Sequence, residues 1–153
     1  MSTTCLTKHQ SRMIKSFLFP KKITPQLYSS LLLCLRILFG LLVAFHGLEK
    51  LLNYETLASG AFPDPIGIGS AMSVSLAVFA ELFCGLAFAA GFLFRLSTLP
   101  LIATMAIAFF GVHGGNIIEG EAALINLVVF ILLYITGPGR YAADAYIVKK
   151  IRF

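Results

Sequence analysis

The chain has 153 residues, of which 58% are hydrophobic and 12% charged, with a formal net charge of +5. The charged share is about half that of soluble globular proteins, and a sphere of this size has too much surface to hide so much apolar area in one core. An ordinary soluble enzyme, a disordered chain and a nucleic-acid module built on a basic surface are therefore excluded, and lipid is the expected solvent.

Residues 1–25 form a basic leading segment with Lys8, Arg12, Lys15, Lys21 and Lys22. It lacks the apolar stretch of a cleavable leader, so the first span is expected to serve as an uncleaved anchor. Met13-Ile14 and Phe17-Leu18 offer it contacts to lipid heads. Four apolar segments follow, from Tyr28 to Leu48, Ser70 to Phe94, Leu96 to His113 and Ala122 to Thr136. A helical crossing needs about 17–25 residues, which the first three reach and the fourth does not. Pro25 precedes the first, Gly60 to Pro65 separates the first two, and Gly137-Pro138-Gly139 ends the last. A basic tail over residues 146–153 closes the chain. The expected fold is all-α, a four-helix transmembrane bundle over residues 26–145.

Charge placement sets the expected orientation. With the N-terminus cytoplasmic, four crossings return the C-terminus to that side. The cytoplasmic segments then hold the five leading basic residues, Arg95, and the group Arg140, Lys149, Lys150 and Arg152. The opposite side holds Lys50 alone, a strong positive-inside asymmetry. Nucleic-acid binding is not expected, because the basic clusters flank apolar segments instead of crossing a folded face.

Polar groups inside the spans are the candidate functional residues. A charge in the membrane is expensive and faces the bundle interior with a partner. At 1.5 Å per helical residue, Arg36 lies about 12 Å above the inner edge, Glu81 and Asn126 about 21 Å, and His46 and His113 about 27 Å. Glu81, Asn126, His46 and His113, one from each span, thus fall within about one turn in depth. This matched depth suggests one polar centre in the outer half of the bundle, with Arg36 leaning up to pair with Glu81. On the first helix Arg36, Gly40, Val43, Gly47 and Lys50 share a side; on the second Ser70, Ala77, Glu81, Gly85 and Phe88 do. The glycines on these stripes favour close helix approach. Cys5, Cys34 and Cys84 have no paired spacing, which disfavours dithiol chemistry, and no local metal motif is present.

Arg36-x3-Gly40-x5-His46-Gly47-x2-Lys50, then Glu81-x3-Gly85-x5-Gly91-x3-Arg95, then His113, then Gly137-Pro138-Gly139-Arg140-x3-Asp144 resembles the DoxX family of small bacterial membrane proteins. The resemblance covers about residues 28–145 and implies a four-helix bundle in the bacterial inner (plasma) membrane. It also implies a link to redox chemistry, since relatives include a small subunit of a thiosulfate:quinone oxidoreductase and partners of soluble redox proteins. Other relatives act in receptor assembly.

Two functions are therefore expected as alternatives. In the first, the chain belongs to a membrane oxidoreductase system and binds a quinone head between its helices. His46 and His113 donate or relay protons, Glu81 sets their charge, and Arg36, Asn126 and Lys50 contact the substrate. A redox partner protein and a homo-oligomer are compatible with it. In the second, the chain is a non-enzymatic membrane scaffold or assembly factor. A small transporter is a weaker third reading, because no broken-helix repeat is evident.

Overall fold

A computed structural model describes residues 24–151. The expected basic segment over residues 1–25 therefore lies outside the described residues save for Thr24 and Pro25, as do Cys5 and Arg152.

Every regular element among the described residues is helical. Helix α1 runs Pro25–Leu52, 28 residues. Thr24 caps it, its hydroxyl accepting the Leu27 N–H at 3.3 Å, and Pro25 takes the first turn, where a missing N–H does no harm. The helix exceeds the expected first span at both ends; Lys50 stays inside it because its ammonium is paired there. A short turn at Tyr54–Thr56 and a π-type segment at Leu57–Ala61 lead into a loop. Helix α2 covers Ser70–Ala90, with a π-type stretch at Phe79–Cys84, and α3 covers Phe94–Val112, with its last turn at Ile107–Val112 also of π type.

The second span was expected to reach Phe94 but stops at Ala90. Gly91 takes the left-handed conformation (φ 71°), which ends a helix at no steric cost. Helix α4 is Glu121–Thr136 and α5 is Ala143–Ile151. By length and composition α1, α2 and α3 can each cross a membrane. Helix α4 has 16 residues. It reaches about 24 Å against a hydrocarbon core of about 30 Å.

The helices pack in a ring: α1 along α2, α2 on α3, α3 on α4, and α4 back against α1. The α1–α2 contact is backbone-close. A Cβ built on Gly40 would stand 2.8 Å from the Ala89 Cβ, and one on Gly47 would stand 2.5 Å from the Leu82 nitrogen. Only glycine permits this approach, the membrane form of small-residue packing. Where α2, α3 and α4 meet, Phe88 stacks on Phe94 at 5.1 Å and meets Phe130 edge-on at 5.1 Å. Outward, the helices present large apolar side chains, among them Leu38, Phe45, Phe83, Leu96, Phe110 and Ile135. So extensive an apolar exterior suits acyl chains and not water.

Candidate functional site

The two charges expected to pair do not. Arg36 is 1% exposed, and its guanidinium is engaged entirely with backbone oxygen. Its Nε donates to Ala89 O at 3.3 Å, Nη2 to Ala90 O at 3.5 Å and Tyr141 O at 3.3 Å, and Nη1 to Pro138 O. Ala89 and Ala90 end α2, where carbonyls lack intrahelical partners and the dipole is negative. Arg36 therefore caps α2 and ties the Pro138–Tyr141 turn to it. These acceptors lie at its own depth, whereas Glu81 lies eight to nine residues earlier on α2, about 12–13 Å farther along the bundle on the helical rise.

Lys50 takes Glu81 instead. Its ammonium donates to both carboxylate oxygens, at 2.5 Å to Oε2. The Glu81 side chain is 4% exposed and that of Lys50 27%. Both come from the glycine-lined face: the Gly47 position meets the Glu81 and Leu82 backbone, which brings α1 within reach of a carboxylate. Glu81 lies in the π-type stretch, where the helix widens by one residue per turn.

The pair forms the polar end of a cavity of ≈ 120 Å³. Leu76 and Ala77 of α2 and Ile107 and Val112 of α3 make its apolar walls, with Thr104 of α3 beside them. Phe62, Pro63, Pro65, Ile66 and Ile68 of the loop after α1 make another, and the Lys50 ammonium stands 5.8 Å from the Phe62 ring centre. Asp64 shapes that loop. Its carboxylate accepts the N–H groups of Gly67 at 3.0 Å, Ile68 at 3.1 Å and Gly69 at 2.6 Å, and the Ser73 hydroxyl at 2.8 Å. The Ser73 bond first, then the Gly69 bond, hold its pKa below the ordinary value. Pro65 in turn rests on Gly111 of α3, where a Cβ would stand 2.8 Å away.

The remaining polar residues do not join this cavity. His46 is 58% exposed, with Nδ1 3.8 Å from Glu49. His113 is half-buried and follows Val112, a wall residue, without lining the cavity itself. Asn126 is buried on α4; its amide donates to Ala122 O at 2.8 Å, and its Oδ1 has no partner among the described residues. The single centre expected from matched depth thus resolves into a Lys50–Glu81 pair, a buried Asn126 and two imidazoles outside the cavity. Depth is one coordinate of three, and the direction each side chain takes around its helix decided the rest.

Sequence reasoning missed the second anchor. The Asp144 carboxylate accepts the N–H groups of Leu93 and Phe94, each at 2.8 Å, capping α3 from 51 residues away, and the Asp144 N–H donates to Gly91 O at 3.0 Å. The signal was the Asp that follows the Gly-Pro-Gly-Arg turn. Among the described residues no group of three or more His, Cys, Asp or Glu is placed to hold a metal. Cys34 is exposed and Cys84 buried, both as free thiols.

The family profile of DoxX matches residues 31–114. The chain belongs to the DoxX family. This DoxX chain is also 30% identical over 134 residues to an uncharacterized membrane protein of Mycobacterium tuberculosis (strain ATCC 25618 / H37Rv), covering 77% of this chain and 82% of that relative. No solved structure matches it. The matched region takes in most of α1, all of α2 and α3 and the Lys50–Glu81 cavity, and ends before α4 and the Asp144 anchor. Membership and the apolar exterior together make it a multi-pass membrane protein.

Proposed function

We propose that this DoxX protein is the membrane component of a quinone-linked redox system, and that the cavity over Lys50 and Glu81 takes the quinone head. The carrying observation is a carboxylate–ammonium pair, its carboxylate nearly removed from solvent, at the end of a mostly apolar cavity. Such a pair contributes little net stability once desolvation is counted. As chemistry it is well placed. Two ammonium donors go to Glu81, and the third has no acceptor among the described residues. A quinone carbonyl can accept that N–H while its ring lies on Phe62, Leu76 and Ile107. Reduction takes two electrons from a redox partner protein and adds two protons to the quinone oxygens. Lys50 donates one proton at the carbonyl; the Glu81 carboxylate then takes a proton from water and passes it to the neutral Lys50 amine, and the second quinone oxygen takes its proton from water. His46 beside Glu49, and His113 next to Val112, exchange protons with water at this end of the bundle. Both termini face the cytoplasm, and the membrane is the bacterial plasma membrane.

Titration of purified protein in nanodiscs with a short-tailed quinone tests this. We expect saturable binding that Lys50→Met weakens about tenfold or more in the folded fraction, the worth of one charge-assisted bond, while Arg36→Lys leaves affinity unchanged in the folded fraction. Absence of saturable binding by folded protein overturns the proposal.

The scaffold reading draws on a different observation. Arg36 and Asp144 are engaged wholly with backbone groups, so these polar residues lock the bundle together. Under that reading Lys50→Met with Glu81→Met keeps the pathway active; under the quinone reading it abolishes activity in a protein that still folds.

A further inference from the structure

Beyond its first turn, helix α5 packs against no other helix among the described residues. Asp144 ties its first turn to the start of α3, and Arg36 holds the preceding turn through Tyr141 O. Beyond that tie no other helix of the described residues runs along it, and every residue from Ala145 to Lys150 is exposed. Tyr146, Ile147 and Val148 are among the exposed apolar residues. A nine-residue helix is too short to hold itself in water, where isolated helices under about 12 residues are marginal. Its stability calls for a surface that covers the apolar side.

The tie fixes where α5 starts. Gly91 to Phe94 is the turn between α2 and α3, so α5 leaves the bundle at the rim where those spans end. At 100° per residue Ile147 and Val148 share the side of Asp144, the side turned to the bundle, and Lys149 lies opposite. Exposed cations gather at this rim: Arg95, Arg140, Lys149 and Lys150. The acids gather elsewhere. The alternating helices carry Glu49, Glu55, Asp64, Glu119 and Glu121 to the opposite end, and Asp144 is bound to backbone N–H groups.

We propose that α5 is an interfacial helix that docks on the anionic lipid heads of the leaflet beside the Gly91–Phe94 turn. Ile147 and Val148 sink toward the acyl boundary, Tyr146 sits at head level, and Lys149 and Lys150 reach phosphate oxygens. Charge complementarity selects the occupant: a neutral surface would cover the apolar residues and leave the cations without counter-charge.

The chain has no Trp, so Val148→Trp makes a single reporter on the lipid-facing side. The full-length variant is reconstituted into phosphatidylcholine bilayers containing phosphatidylglycerol, with one or the other lipid brominated in both leaflets. Expected are blue-shifted emission and stronger quenching by brominated phosphatidylglycerol than by brominated phosphatidylcholine at equal mole fraction. Changing Lys149→Gln and Lys150→Gln together should reduce the preference, by about fivefold per lysine, and salt should weaken it. These lysines bond to no other described residue, so thermal melting of the double variant should match the parent and separate lost docking from lost folding. Equal quenching by the two lipids, or water-like emission with no quenching, overturns the proposal.

Discussion

The side chains that matter most here are two cations on one face of α1 with opposite employments. Arg36 has a planar fork and meets four carbonyls; Lys50 has a compact ammonium and meets one carboxylate. Arg36→Leu strands carbonyls at the end of α2 and in the Pro138–Tyr141 turn. We expect a loss on the order of 3 kcal/mol, measured by denaturant unfolding in detergent, with Arg36→Lys recovering part of it. At the other pair the two single changes should differ. Lys50→Met leaves an unpartnered carboxylate almost without solvent, whereas Glu81→Gln leaves an ammonium that can turn toward water. Lys50→Met should therefore destabilise more, and the double change Lys50→Met with Glu81→Met should recover most of the loss; a thermal double-mutant cycle checks both. The sequence showed which residues were too polar for lipid, because composition alone marks them. It did not show their partners. Arg36 was expected to reach Glu81, and backbone carbonyls, invisible as letters, took it instead.

Among the elements, the spans were legible and the turns within them were not. Apolar runs and glycine punctuation placed all four segments, and the stripe of Gly40, Gly47 and Gly85 marked the α1–α2 contact. A reading at 3.6 residues per turn cannot see π-type stretches, and Phe79–Cys84 shifts every face that follows it. Loop chemistry was equally hidden: Asp64 looked like part of a chain break, yet it organises a cavity wall. Its folded pKa is depressed, so its contribution is present above the unfolded value of about 3.9 and is lost as pH falls through the lower folded value. Neutral and mildly acidic conditions should leave the loop unchanged. The amide proton signals of Gly67, Ile68 and Gly69 should titrate together with a midpoint below about 3.9, and Asp64→Ala should abolish that shared transition.

For the molecule as a whole, composition settled the solvent and charge position suggested the orientation. We expect reporter fusions in the loop after α1 to behave as exported and fusions after Lys150 as cytoplasmic; the reverse pattern would invert every side assigned above. On the expected outcome helix α4 would have to make the return crossing, its short length met by local thinning of the bilayer or by the neighbouring rim. The bundle's ring order was less legible, because it rests on contacts far apart in the chain.

The longest of those contacts bear on how the protein is made. Arg36 waits for Pro138, 102 residues later, and the start of α3 waits for Asp144. A nascent chain threading into the membrane therefore holds an unpaired guanidinium and an open helix start until Pro138 and Asp144 have left the ribosome. Translation that stops before Asp144 would release an assembly with its latch undone, a ready mark for membrane proteases.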